Sequence, residues 1–222
     1  PAHAGDSDGG IYGDVVEEFD YETGRLLDAL DELNLRENTL VIYTSDNGPW
    51  NQDRYTKRKK GHPPGAIFWG ESGPLRNGKG SPYEGGYRLP CIVRWPGKVP
   101  AGRTSDAIFA TIDFLPTLAN LCGFEAPKDR RIDGIDQTKL LLGKTETGRE
   151  DFYFNKAGIR LGKWKYLKPD AFFHGYAIEA DRKKTDELYD LETDIGERNN
   201  LADKHPEIVA KLKARMEAAE KN

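Results

Sequence analysis

The sequence predicts an α/β fold in two parts. Residues 1–145 are expected to form part of an α/β sandwich with a mostly parallel central sheet, and residues 146–222 a small antiparallel sheet with a packed helix. Three observations predict this. A long segment with helical spacing of apolar residues leads through a short turn into an uninterrupted apolar strand, the unit from which α/β sheets are built. Short segments with alternating pattern gather in the last third, as antiparallel strands do. Between these regions the composition shifts at "GKTETGRED", residues 143–151, where a domain boundary is expected.

In chain order, residues 1–10 are rich in Gly and Asp and read as a loop. From Tyr12, the positions Tyr12, Val15, Val16, Phe19, Leu26, Leu27, Leu30 and Leu33 keep helical spacing with charged residues opposite, predicting an amphipathic helix that ends near Asn34. After the turn "LREN" comes the strand "TLVIYT", residues 39–44, whose apolar run suits a parallel strand covered on both faces. Residues 49–88 are rich in Gly, Pro, Lys and Arg, and irregular segments of that length inside a domain are usually functional or disordered. "PCIVRWPG" reads as a short strand, and Thr111–Cys122 as a helix containing a proline and stopping at Gly123. "DFYFN", "AGIRLGKWKYLK" and "DELYDLE" read as short strands. Pro206 opens a last helix with Ile208, Val209, Leu212, Met216 and Ala219 on one face.

Composition excludes some classes of function. The 222 residues suffice for one sizeable domain, or for one with a smaller annex. With 33 Lys+Arg against 37 Asp+Glu, the net charge of -4 argues against nucleic acid or an anionic membrane as a general partner. No run resembles a membrane-spanning helix, and the start, Pro1-Ala2-His3, has neither Met nor an apolar leader segment, which reads as a processed or truncated chain. Cys91 and Cys122 make no disulfide framework or thiolate cluster and fit buried small residues.

Three groups carry candidate chemistry. Asp46-Asn47-Gly48 follows the apolar strand: Asn-Gly favours a tight hairpin turn, but "PWNQDRY" is no partner strand. The alternative is a ligand site at the carboxyl end of a sheet strand. Asp46 and Asn47 offer adjacent hard oxygen donors suited to Ca²⁺ or Mg²⁺, yet such an ion takes about six oxygens, so the pair is at most half a site. In "GPLRNGKGS", Gly73, Gly78 and Lys79 match a phosphate-loop frame, but Gly80 stands where Ser or Thr is needed and "SPYEGG" does not start a helix. Lys79 is thus either a solvated loop lysine or a cation held where the backbone approaches an anion closely. Tyr83, Glu84 and Arg88 would order this loop by hydrogen bonds and an ion pair, with ordinary packing as the alternative. The basic tract "RYTKRKKGH", residues 54–62, is either a solvated loop or a polyanion contact; His62, His174 and His205 show no metal spacing and read as surface residues.

Several of these segments together resemble one family. "IYTSDNG", "GPLRNGKGSPYEGGYRLPCIVRWPG", "IDFLPTLANLCG" and "ELYDLETD" with "NLA" occur in the order of similar segments in type I sulfatases of the alkaline-phosphatase superfamily. The helix "YGDVVEEFDYETGRLLDAL" also resembles the family helix before the metal-binding strand, so the resemblance runs from Tyr12 to about Leu201. It implies an alkaline-phosphatase-like three-layer sandwich that hydrolyses sulfate esters at a divalent cation, usually Ca²⁺ with Mg²⁺ as the alternative, using a formylglycine nucleophile. Asp46 and Asn47 would ligate the cation and Lys79 would contact the sulfate. The modification motif, Cys or Ser followed by x-Pro-x-Arg, is absent, as is the family's first pair of metal-binding aspartates, and His3 lies too near the helix for the family histidine. The resemblance is therefore to the C-terminal portion, with formylglycine expected upstream and no activity expected of this chain alone. A sulfated small molecule or glycan is the expected substrate, nucleic acid and membrane are not expected partners, and a homo-oligomer stays open. By resemblance the compartment is periplasmic, secreted or lysosomal. A phosphate or phosphonate ester hydrolase of the same superfamily, and a non-catalytic anionic-glycan-binding module, are the rival readings.

Overall fold

The computed structural model describes residues 3–50, 70–174 and 184–220. The expected first helix is α1, Gly10–Glu32. It stops where Asn34 turns left-handed (φ 56), and the amides of Leu35 and Asn34 return to the carbonyls of Leu30 and Asp31, satisfying two carbonyls that the last turn leaves open. A 3₁₀ turn over Arg36–Asn38 leads into β1, Val41–Thr44.

β1 corrects one expectation. It pairs antiparallel with β2, Cys91–Arg94, in the register Val41↔Arg94 to Thr44↔Cys91, and it is half-buried instead of covered on both faces. An apolar run records burial but not strand direction, and the return of the chain through residues 45–90 makes the two strands antiparallel. The cysteines differ as well: Cys91, on an edge strand, and Cys122 are both exposed free thiols. α1 forms as its spacing requires yet buries no residue; Val15, Phe19 and Leu26 are more than half exposed. It leans on β1 through Phe19 and Tyr43, whose rings lie 5.4 Å apart.

A one-turn helix α2, Glu84–Tyr87, precedes β2. The helix expected at 111–122 is a 3₁₀ turn, Thr111–Asp113, continued by α3, Phe114–Leu121. Pro116 falls in the first turn of α3, where an amide hydrogen has no intrahelical acceptor, and Gly123 (φ 77) ends it with Phe124 N–H returning to Ala119. The fully buried Asp113 accepts from the amides of Ala110 and Ile135 and from Gln137 Nε2, binding this helix to the segment before α4, Thr138–Leu141.

The last third is a meander of four antiparallel strands in chain order: β3 Asp151–Tyr153, β4 Gly158–Leu161, β5 Trp164–Leu167 and β6 Glu187–Asp190. Alternation sorts their side chains onto two faces. Ile159, Tyr166 and Leu188 meet Val209, Leu212 and Met216 of α5, Pro206–Glu220, forming the main core. Leu167 and Tyr189 on the opposite face meet Tyr83 from the loop that carries Lys79.

Candidate active site

The site begins where β1 ends. Thr44 Oγ1 donates to the carbonyl of Pro90 at 2.9 Å, fixing the strand end against the start of β2. Gly48 N donates to Gly86 O at 3.0 Å, and Lys79 N donates to Pro49 O at 2.9 Å, so the two loops are joined backbone to backbone. Only glycine fits here, because a Cβ on Gly48 would overlap the carbonyl oxygen of Gly85. Inside the second loop Asn77 is left-handed (φ 61), and its side-chain oxygen accepts from the amide of Gly78 at 2.9 Å.

This clamp brings Asp46, Asn47 and Lys79 to the wall of one cleft. Asp46 is exposed, with no hydrogen-bond or ion-pair partner among the described residues; Asn47 is half-buried and donates through Nδ2 to Gly48 O at 3.0 Å, leaving its amide oxygen for the cleft. Lys79 is half-buried, 5.9 Å from the centroid of the Trp50 ring, and pairs with no carboxylate among the described residues. Arg88 and Arg160 line the same cleft. The donor pair Asp46–Asn47 suits a hard divalent cation, but among the described residues no three or more His, Cys, Asp or Glu side chains converge as a metal site. It therefore fits as part of a ligand set and needs further oxygens.

Beneath Lys79 lies a charged plug that the strand pattern did not reveal. Lys165 on β5 is fully buried, with Nζ 2.9 Å from Glu84 Oε1 and 2.9 Å from Glu197 Oε1. Glu197 Oε2 accepts from the Glu84 amide at 2.6 Å, which seats the start of α2. Arg160 and Arg88 approach the other Glu84 oxygen at 3.8 and 3.9 Å. Burial raises the Glu84 carboxyl, but Lys165 and the two guanidinium groups outweigh it and hold the group below the usual carboxylate range. Glu197 goes the other way: burial, with the nearby Glu84 charge adding to it, outweighs Lys165 and keeps this carboxyl above its usual value. Next to them Arg76 lies 3.8 Å from the centroid of the Tyr83 ring and donates to Tyr189 Oη and Glu197 O, while Tyr83 and Tyr189 both donate to Glu187 Oε2.

Glu84 and Tyr83 thus hold the Lys79 loop as the sequence suggested, but Lys165 and Glu197 are the main partners of Glu84 and Arg88 is a distant one. Lys165 was missed because a lysine between Trp164 and Tyr166 reads as the solvent face of a strand, whereas here the loop covers that face. His174 is exposed as expected, yet it lines the cleft, and its amide donates to Gly80 O at 2.9 Å. His3 is tied to α1 through Glu18, and His205 packs its ring on Trp164. His62 and the basic tract of residues 54–62 lie outside the described residues.

Comparison with known proteins gives this geometry a family. Residues 9–124 match the sulfatase family model, and residues 78–222 match the C-terminal model of N-sulphoglucosamine sulphohydrolase. An N-acetylgalactosamine-6-O-sulfatase of Bacteroides thetaiotaomicron is 38% identical over 98% of this chain and 43% of its own length. Human arylsulfatase A is 35% identical over 92% of this chain and 42% of its own length. A solved B. thetaiotaomicron sulfatase, described in work on the metabolism of multiple glycosaminoglycans, superposes with a TM-score of 0.83 at 37% identity, covering 100% of this chain and 47% of that one. A Pseudoalteromonas sulfatase superposes at 0.81 with 27% identity, covering 100% of this chain and 44% of that one. The chain spans less than half the length of these relatives. The α/β class expected from the sequence, with its small antiparallel sheet and packed helix, is therefore that of a sulfatase in its C-terminal portion, and the chain belongs to the sulfatase family.

Proposed function

We propose that this chain is the C-terminal part of an enzyme that hydrolyses sulfate esters, R–O–SO₃⁻ giving R–OH and sulfate, and that its substrate is a sulfated glycan or a sugar from one. The observation that carries the reading is the backbone clamp that brings the Asp46 and Asn47 oxygens and the Lys79 ammonium, none of them ion-paired among the described residues, to one cleft. Asp46 and Asn47 would hold a divalent cation, Ca²⁺ by preference; when bound, it acts as a Lewis acid on a sulfuryl oxygen. Lys79 would bind the sulfate and stabilise charge growing on the leaving oxygen, an effect that depends on its being fixed in place beforehand. The clamp and the Glu84–Lys165–Glu197 plug provide that fixing. The formylglycine nucleophile and the remaining cation ligands would come from sequence upstream of Pro1. Residues 1–145 would belong to the catalytic domain and 146–222 to a C-terminal subdomain, consistent with the four-stranded sheet starting at Asp151. A periplasmic, secreted or lysosomal location rests on the family resemblance alone.

The test is turnover of a sulfated sugar and of its phosphate analogue by the protein with its upstream sequence and by the 222-residue chain. Sulfate release is expected only from the longer protein, falling about 10²- to 10³-fold in kcat for Lys79→Ala. Preferential hydrolysis of the phosphate ester would favour phosphoryl transfer, and turnover by this chain alone would overturn the half-site reading.

A further inference from the structure

The segment after β5 returns to the site from the C-terminal sheet. His174 N–H donates to the carbonyl of Gly80, the neighbour of Lys79, at 2.9 Å, so residues 172–174 are attached to the loop that carries the lysine. Phe172 and His174 line the cleft that also holds Asp46, Asn47 and Lys79. Phe172 is 66% exposed, and its ring meets the His174 imidazole edge-on, with centroids 5.0 Å apart at 76°. Trp50, 41% exposed, flanks Lys79 with a second flat face. An exposed aromatic ring next to an imidazole, on the cleft that also holds a lysine, has a specific chemical complement. A pyranose ring presents C–H groups on its faces, hydroxyls at its edge and, when sulfated, an anion on one arm. Arg88 and Arg160 line the same cleft and add donors for the hydroxyls and the anion.

We propose that Phe172 and His174 form the subsite for the group that carries the sulfate, and that this group is a pyranose sugar. The ring stacks on Phe172, a sugar hydroxyl bonds to the His174 imidazole, and the sulfate points to Lys79. The proposal rests on Lys79 being the sulfate contact and adds to that reading the residues that select the alcohol.

The test is binding, so it needs no nucleophile. The protein with its upstream sequence, produced without conversion of its nucleophile so that nothing is turned over, is titrated with inorganic sulfate, N-acetylgalactosamine and N-acetylgalactosamine 6-sulfate, followed by NMR of the Gly78–Gly80 amides and the His174 ring. Sulfate alone is expected to move the Gly78–Gly80 amides only. The sulfated sugar should move both groups and bind about tenfold more tightly than sulfate, and Phe172→Ala should remove most of that advantage. His174→Gln, which keeps a hydrogen-bonding side chain, should retain more of it than His174→Ala. The subsite is overturned if the sulfated sugar binds no more tightly than sulfate and leaves His174 unmoved. It is also overturned if Phe172→Ala and His174→Ala, both still folded by amide dispersion, leave the sugar's affinity unchanged, or if an aryl sulfate gains more from Phe172 than the sugar does. If no sulfate-bearing probe moves the Gly78–Gly80 amides, the role of Lys79 fails and the subsite fails with it.

Discussion

Lys165 is buried with 0% of its side chain exposed, and two carboxylates share it. Removing one member of a buried ionic cluster leaves the others uncompensated, so Lys165→Met is expected to destabilise by about 3–5 kcal/mol. Lys165→Met with Glu84→Gln and Glu197→Gln should recover a large part of that loss, and urea unfolding of the single and triple variants measures it. The two carboxylates also give acid titration a particular shape. Glu197 is held above its ordinary value, so from that raised value down to the ordinary one the folded state binds the extra proton and stability rises as pH falls. Glu84, with Asp186 and Asp190, is held low. Their contribution is complete above the ordinary carboxylate range and is lost as pH falls through their lowered values. The urea midpoint should therefore pass through a maximum in mild acid, and Glu197→Gln should abolish the rise while keeping the fall. Gly48→Ala tests the clamp: overlap with Gly85 O should cost about 1–3 kcal/mol and shift the Gly78–Gly80 amide resonances.

Among the elements, α5 and α1 have similar patterns and different fates. Both were legible as amphipathic helices, since spacing reports a helix and its apolar stripe without saying what the stripe will meet. α5 places Leu212 (1% exposed) and Met216 (5%) on the sheet, whereas Val16 on α1 is 50% exposed. Leu212→Ala is expected to cost about 2–5 kcal/mol, while Val16→Ser should stay within about 0.5 kcal/mol; thermal unfolding of the two variants decides it. The same limit explains the rest. Asp46, Asn47 and Lys79 were legible as local chemistry following a strand or among glycines. Lys165, Glu197 and His174 were not, because each acts on the Lys79 loop from about 80 to 120 residues away in sequence. The direction of β1 was hidden for the same reason: its paired residues lie 47–53 positions further on, beyond a segment without a pattern.

For the whole molecule, the uncovered stripe of α1 with exposed Ile92, Leu115 and Phe124 is more apolar surface than scattered single residues account for. Self-association of the 222-residue chain is the expected result, with light scattering falling when Val15, Val16 and Phe19 are replaced by Ser, Ser and Gln. Scattering unchanged by those replacements would show that α1 is not the adhesive face.

The strand order β3-β4-β5-β6 follows the order of the chain, so each strand pairs with one just before it, and such local pairing is quick to form. The seat of the Lys79 loop is made of contacts spanning 81 and 113 residues. Assembly thus has a direction: the meander is built first as a template, and the loop closes onto it last. On a ribosome the lysine would wait for its setting until Glu197 had emerged, more than a hundred residues after Lys79 itself was made.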